Sequence, residues 1–132
     1  GALGLEAISH GAAFASFIEN DTAALAVLRA NIAKLRFQSS AAVLAADATN
    51  LVHWRAAAAN LVFADAPYQT GGGLLAINAL AKIGALGDAA VVIIETAKTE
   101  ILDSDALATG LTPIDQRNYG KALLNFLTYQ TP

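Results

Sequence analysis

The sequence predicts an α/β domain in which helices alternate with the strands of a mostly parallel sheet. Short apolar runs alternate with segments whose apolar residues recur at three- and four-residue spacing, the pattern of strand-helix-strand crossover units. The run "AVVIIE" at 90–95 is continuously apolar up to its last residue, as in strands that a parallel sheet buries on both faces. Acids follow three predicted strands, at Glu19, Asp47 and Asp65.

Local patterns place each element in turn. A helix at 2–9 ends before Gly11, and a helix at 22–36 carries apolar residues along one face, with Asp21 or Asn20 as its N-cap. Further helices are predicted at 51–58, 73–83 and 103–108. Strands are predicted at 15–19, 42–46, 61–65 and 90–95, followed by an antiparallel pair of final strands joined by a turn at 118–120.

Length and composition favour one domain without a membrane span. The 132 residues are 55% hydrophobic and 14% charged, which is enough for one core and too apolar for a disordered chain. The longest strongly apolar run, 89–94, is far shorter than the roughly 18 residues that a spanning helix needs. No start methionine or basic segment precedes the apolar opening, so we expect no secretory signal and a cytoplasmic location.

Charge and residue usage argue against several kinds of site. The net charge of −3 disfavours nucleic-acid binding by bulk positive charge, which requires clustered Lys and Arg. The nearest approach to a cluster, Arg29, Lys34 and Arg36, is typical of a solvated helix face. Cysteine is absent and the two histidines, His10 and His53, are far apart in sequence, so we expect no metal site.

The segment "NLVFADAPYQTGGG" at 60–73 combines an apolar strand with polar and conformationally restricted residues. Because ligands of open parallel sheets bind outside the carboxyl ends of the strands, we expect Glu19, Asp47 and Asp65 to converge on one crevice. Each acid alone is better explained as a cap or loop residue, but the three together favour a site. Glu95 also ends a predicted strand. It either touches the substrate side of the crevice or is a loop acid, and we favour the loop acid.

Six motifs in chain order resemble one known family. They are "GALGLEAISHGA", "FIEND", "AADA", "VFADAPY", "VIIET" and "RNYG". Together they resemble the RsmD family, bacterial methyltransferases that modify the exocyclic N2 of a guanine in 16S ribosomal RNA. The resemblance implies a Rossmann-like fold that binds S-adenosylmethionine. The implied partner is 16S ribosomal RNA or an assembly intermediate of the small ribosomal subunit, with no metal and no membrane.

The same resemblance implies how the cofactor is held. Gly1 would be the last glycine of the loop that passes the methionine moiety, since only glycine lets the backbone come so close. Glu19 would accept the ribose hydroxyl groups, Asp47 would accept the adenine amino group, and the Ala48 N–H would meet a ring nitrogen. The implied cofactor-binding residues are Gly1, Ala2, Glu19, Asn20, Asp47 and Ala48.

The implied catalytic residues are Asp65, Ala66, Pro67 and Tyr68. The Asp65 carboxylate and the Ala66 carbonyl would accept the two N–H groups of the target amine and hold its nitrogen in line with the methyl group. Pro67 would restrict the backbone so that the carbonyl is aimed before the substrate arrives. Tyr68 would stack on the target base once it has left its helix.

The chain departs from the family pattern in two places. The family usually has Pro-Pro where this chain has Ala66 and Pro67, which adds an N–H and backbone freedom. It also places a strand, a loop of the type Asp-x-Phe-x-Gly-Ser and a basic segment before the residue that matches Gly1. We therefore expect residues 1–132 to be a single methyltransferase domain, part of a longer enzyme, in which the first strand and the basic segment are missing.

Other functions stay open at the level of sequence. Within the same class, the domain would be an amino methyltransferase acting on another nucleic acid, such as at a DNA adenine, or on a protein amide. In a different class, it would be a non-catalytic adenosine-binding domain of the same fold, which Ala66 favours. A phosphate-accepting receiver domain using Asp47 or Asp65 is a more distant alternative.

Overall fold

The computed structural model describes residues 2–65 and 71–132. Within these ranges, helices alternate with strands in part of the chain, and no α-helix separates β2 from β3 or β4 from β5. Contacts divide the chain into two units, Gly1–Ala48 and Thr49–Pro132. The helices and strands are α1 (Ala2–Ser9), β1 (Ala15–Glu19), α2 (Thr22–Leu35), β2 (Ala41–Ala45), β3 (Ala59–Asp65), α3 (Gly72–Lys82), β4 (Leu86–Ala97), β5 (Leu111–Tyr119) and β6 (Ala122–Tyr129). Short 3₁₀ turns occur at Gln38–Ser40, Ala48–Asn50 and Ser104–Ala106.

The first unit contains α1, α2 and a parallel pair of strands. β1 and β2 run in register from Ala15 opposite Ala41 to Glu19 opposite Ala45. The buried core of this unit comprises Leu5, Phe17, Leu28 and Ile32. The two helices therefore supply their apolar residues to the same core as β1, as expected for crossover units.

The ends of α2 are fixed by local hydrogen bonds. The Asp21 side chain accepts from the Ala24 N–H at 2.8 Å, which confirms the predicted N-cap. At the other end Arg36 adopts a left-handed conformation with φ of 60°. The Phe37 N–H then reaches back to the Ile32 carbonyl at 2.9 Å, a Schellman-type ending. The helix thus ends one residue before the predicted boundary.

The second unit contains a four-stranded sheet in the order β3-β4-β6-β5. β3 and β4 are parallel, whereas β6 is antiparallel to both β4 and β5. The chain is therefore α/β with parallel strand pairs and an antiparallel end, as predicted. The β5–β6 loop consists of residues 120 and 121, slightly later than the predicted turn, and Gly120 supplies its positive φ of 60°.

Helix α3 packs closely on one face of this sheet. A Cβ added at Gly73 would lie 2.8 Å from Cγ2 of Ile94, so the first turn of α3 requires a residue without a side chain. Ile77 of α3 and Val92, Ile94 and Leu127 of the sheet have no exposed surface. This face of the sheet and α3 form the core of the second unit.

The helix predicted at 51–58 is wrong. Alanines favour a helix, but a short helix is marginal unless an apolar face packs against the rest of the protein. Here Val52 is 72% exposed, and the Trp54 indole N–H donates to the Ala57 carbonyl at 3.1 Å in an irregular segment. The Ala59 N–H bonds to the Ala85 carbonyl at 2.8 Å, so the last alanine of the run belongs to β3.

The helix predicted at 103–108 is only a single 3₁₀ turn, Ser104–Ala106. The Asp103 side chain accepts from the Asp105 N–H at 3.0 Å and caps that turn. Aspartates compete for nearby backbone N–H groups and favour caps and turns over helix interiors, which accounts for the short element.

Candidate functional site

Glu19 and Asp47 lie at the same edge of the first unit. Glu19 is the last residue of β1, and its carbonyl accepts from the Ala46 N–H at 3.0 Å. Asp47 follows directly and precedes the 3₁₀ turn that begins at Ala48. Because the strands are parallel, their carboxyl ends meet at one edge, so the structure brings these two predicted acids together.

The Glu19 carboxylate is oriented by the backbone that follows it. Its Oε2 accepts from the Asn20 N–H at 3.0 Å and from the Asp21 N–H at 3.3 Å. Both donors precede α2, whose N-terminus favours a nearby negative charge. The carboxylate is therefore held by Oε2, while the side chain is only partly buried. Ala2, also predicted to bind cofactor, is exposed as the first residue of α1.

Asp65 and Glu95 form a carboxyl pair in the second unit. Asp65 ends β3 and is exposed, and Glu95 stands opposite it on the parallel strand β4. Residues in register on neighbouring strands project from the same face of a sheet, so these two carboxyl groups are placed to share a hydrogen bond. Two carboxyl groups form such a bond only when one of them carries a proton.

The pairing changes the proton affinity of Glu95. The hydrogen bond to Asp65 raises the pKa of Glu95 above its ordinary value, and partial burial and the negative charge of Asp65 act in the same direction. Such a shift is typical of a carboxyl group that shares its proton with a neighbouring carboxylate.

A buried polar network holds the strand that carries Glu95. Asn125 of β6 is 1% exposed, and its amide donates at 3.1 Å to both the Ile94 carbonyl and the Thr96 hydroxyl. The Asn125 side-chain oxygen accepts from the Gln116 amide at 2.9 Å. These bonds fix β4 on both sides of Glu95, since Ile94 and Thr96 are its chain neighbours.

The sequence predicts Asp65 as a site residue but does not predict its partner: Glu95, interpreted as a loop acid, lies within β4 opposite Asp65. The available signal was that Glu95 is one more acid at the end of a predicted strand. The predicted residues Gly1, Ala66, Pro67 and Tyr68 lie outside the described residues. Their assignments, and the convergence of Asp65 with the acids of the first unit, stay predictions.

Two further features concern the described ranges 2–65 and 71–132. No helix there is long and apolar enough to cross a membrane. The same ranges contain no group of three or more His, Asp or Glu side chains arranged to hold a metal ion.

The sequence is similar to known proteins over nearly its whole length. A family model described as "Conserved hypothetical protein 95" matches residues 1–128. The chain is 38% identical over 96 residues to ribosomal RNA small subunit methyltransferase D of Escherichia coli. That alignment covers 73% of this chain and 48% of the relative, so the chain spans about half the length of the curated relatives it matches.

Solved structures show the same fold. A candidate methylase of Haemophilus influenzae superposes with a TM-score of 0.83 at 23% identity, covering 98% of this chain and 81% of the other. A candidate methyltransferase of Escherichia coli superposes with a TM-score of 0.79 at 27% identity, covering 99% of this chain and 71% of the other. The fold is therefore the Rossmann-like fold of methyltransferases, as predicted.

Proposed function

The chain belongs to the RsmD family, whose model carries the description "Conserved hypothetical protein 95", and we propose that it is part of an S-adenosylmethionine-dependent RNA methyltransferase. The proposed acceptor is the exocyclic N2 of a guanine in 16S ribosomal RNA, within the small ribosomal subunit or its assembly intermediates. The name of the Escherichia coli relative supports an RNA substrate of the small subunit. A cytoplasmic location is part of the same proposal.

The observation that carries the proposal is the position of Asp65 at the carboxyl end of a parallel strand, in a chain that matches the family over 1–128. Binding sites of open α/β sheets lie at this end of the strands. A carboxylate there can accept a hydrogen bond from an amine and stabilise the positive charge that develops on its nitrogen.

The residues of the first unit fit S-adenosylmethionine. Glu19 ends a strand and is anchored through Oε2, so Oε1 is the oxygen that would accept from the ribose hydroxyl groups. Asp47 stands at the same edge, where its carboxylate would accept from the adenine amino group while the Ala48 N–H donates to the ring. Gly1, Ala2 and Asn20 complete the proposed binding set. The bound cofactor would supply an electrophilic methyl group.

On the substrate side, the residues proposed to act are Asp65 and the three residues that follow it. The Asp65 carboxylate and the Ala66 carbonyl would each accept an N–H of the amine, whose lone pair is otherwise delocalised into the base. Tyr68 would stack on the extruded base, and Pro67 would restrict the backbone between them. Two acceptors and one stacking face would then orient the nitrogen toward the methyl group.

The proposal includes the first strand and basic segment that the family resemblance implies. Within the described part of the chain, β1 pairs with β2 alone and β3 with β4 alone. Each therefore has one edge at which a further strand could form backbone hydrogen bonds. The net charge of these 132 residues is −3, and binding to RNA phosphates requires clustered positive charge. The basic segment would supply that positive charge.

The test compares cofactor binding and methyl transfer in the complete protein that contains this chain. Calorimetry with S-adenosylmethionine measures the first, and transfer of labelled methyl to undermodified small ribosomal subunits measures the second. We expect Asp65→Ala to abolish transfer with nearly unchanged cofactor affinity, whereas Glu19→Ala weakens cofactor binding. Asp105→Ala removes an exposed aspartate of the second unit and is the matched control.

Cofactor binding by the natural protein without transfer would favour the non-catalytic adenosine-binding domain. Transfer to a different nucleic acid or to a protein amide would favour the related amino methyltransferases. Full transfer by the Asp65→Ala variant would refute the role assigned to Asp65.

A further inference from the structure

We infer that Glu95 is a positioning residue for methyl transfer, which acts through Asp65 by forming with it one proton-accepting pair. This inference rests on the proposed function and adds a residue to its substrate side. Two structural observations carry it, the register of the two residues and the buried network that fixes the strand carrying Glu95, and the raised pKa of Glu95 agrees with them.

The register places Glu95 beside Asp65, so we expect Glu95 to act on the reaction through the Asp65 carboxylate. Asp65 is the last residue of β3 and immediately precedes the residues proposed to hold the amine, and its register partner Glu95 lies two residues before the end of β4. The hydrogen bond between the two side chains forms when the pair holds a proton, so Glu95 acts on the proton that Asp65 accepts.

In the register of the described strands, the row that contains Asp65 and Glu95 includes one further charged residue. On β6, Glu95 is paired with the apolar residue Leu124. Leu124 is paired in turn with Arg117 on β5. The Arg117 side chain pairs with Asp115 at 3.1 Å and lies over the Phe126 ring at 5.6 Å.

Helix α3 contributes no charge to this side of the sheet. It packs against Ile94, whose side chain points to the face opposite Glu95 because side chains alternate along a strand. Among the described residues that pack around Glu95, Asp65 is therefore the ionisable group that its carboxyl meets directly.

The pair is assigned the proton that the amine loses during methyl transfer. The lone pair of the amine nitrogen forms the new N–C bond while the S–CH₃ bond breaks, and its electrons stay on sulfur, which becomes a neutral thioether. The nitrogen is then cationic until one N–H proton passes to the Asp65 carboxylate. Glu95 stabilises the proton on the pair through their shared hydrogen bond, and the pair later releases it to water.

The pair also acts before the proton moves. Two neighbouring carboxylates produce a stronger negative potential at the amine than one, so Glu95 favours the charge that develops on nitrogen during transfer. The like charges repel each other, and acquiring the proton relieves this repulsion. The pair is therefore a stronger proton acceptor than Asp65 alone.

The test is the single-turnover rate of methyl transfer against pH, in the complete protein with undermodified small ribosomal subunits as substrate. We expect the rate of the natural protein to fall as the pH drops through the apparent pKa of the pair, because a protonated pair cannot accept another proton. Glu95→Gln keeps the shape and a hydrogen-bond donor but removes the ionisable group.

For Glu95→Gln the midpoint of the acidic limb is expected to move to lower pH. Its plateau rate should be about 10-fold lower, a smaller loss than the roughly 10²–10⁴-fold of a group that transfers the proton directly. Asp115→Asn, which removes a carboxylate elsewhere on the same sheet, is the control and should keep both the midpoint and the plateau.

The outcomes distinguish this inference from the function on which it rests. An unchanged midpoint in Glu95→Gln overturns the inference whether or not the plateau falls, because a merely structural role lowers the rate without moving the midpoint. In either case transfer by the natural protein leaves the proposed function intact. Failure of the natural protein to transfer any methyl group overturns the proposed function, and the role of Glu95 with it.

Discussion

Gly4 of α1 lies directly against the ring of Phe17 on β1, so closely that a Cβ at Gly4 would be 2.8 Å from Cζ of Phe17. The Phe17 side chain is part of the buried core of the first unit. The "GALGLEA" segment therefore uses its second glycine to bring a helix close to a strand, a role that glycines also have in dinucleotide-binding folds.

Gly4→Ala should consequently destabilise the first unit although alanine favours helices. Overpacking against Phe17 costs about 1–3 kcal/mol, while the gain in helix propensity is about 1 kcal/mol, so we expect a net loss near 1 kcal/mol. Chemical denaturation measures this difference. Ser9→Ala, at an exposed position of the same helix, should change the free energy of unfolding by less than about 0.5 kcal/mol. A Gly4→Ala variant as stable as the natural protein would show that the helix can move away from the strand without cost.

The N-cap of α2 provides a second stability test. Asp21→Ala removes the acceptor of the Ala24 N–H and should lower the free energy of unfolding by about 1 kcal/mol. Asp21→Asn keeps a side-chain oxygen at the cap and should stay close to the natural protein. Equal losses in the two variants would mean that the charge of Asp21, and not its hydrogen bond, stabilises the helix.

Asn125 provides a third test, in the second unit. Asn125→Ala removes the amide that donates hydrogen bonds to the buried Thr96 hydroxyl and to the Ile94 carbonyl. It also leaves a cavity where the Asn125 side chain was. We expect a loss of about 3 kcal/mol in the free energy of unfolding. Gln116→Ala removes the bond from an exposed side chain and should cost about 1 kcal/mol, because water can reach the Asn125 oxygen instead. Losses of the same size in both variants would contradict the central place of Asn125 in the network.

The pairing of Glu95 with Asp65 predicts how stability depends on pH, independently of any activity. The pKa of Glu95 is raised in the folded chain, so the folded state binds the proton more tightly than the unfolded state. The resulting stabilisation is fully present below the ordinary pKa of 4.5 and is lost as the pH rises through the raised value.

Urea unfolding from about pH 4 to pH 8 measures this dependence. Glu95→Gln should flatten the decline in stability, since the amide does not titrate, and Asp65→Asn should flatten it partly by removing the main cause of the shift. Profiles of the same slope in the natural protein and Glu95→Gln would show that the two carboxyl groups are not coupled.

The sequence predicts the elements whose signals are local. The helix at 2–9 and the strand at 15–19 have the predicted bounds, because Gly11 and the acid at Glu19 mark their ends. The α2 helix is predicted because apolar spacing and an Asp cap agree with each other. The helix at 51–58 failed because alanine content gives propensity without an apolar face that could pack.

The candidate site likewise has features that local sequence signals predict and features that depend on long-range strand pairing. The positions of Glu19, Asp47 and Asp65 at strand ends follow from the alternation of strands and helices. The partnership of Asp65 with Glu95 does not, because it depends on the register of β3 against β4, which long-range pairing determines. The network around Asn125 is also nonlocal, and nothing in the local pattern of β6 distinguishes that Asn from a surface residue.

Nuclease digestion and mass spectrometry can map the methyl group that the complete protein adds to 16S ribosomal RNA from undermodified small subunits. The proposed function predicts one methylated guanine, modified at N2, in the reaction with the natural protein and none with Asp65→Asn. A methyl group on another base or another atom of guanine, or an undiminished N2-methylguanine signal with Asp65→Asn, would contradict it.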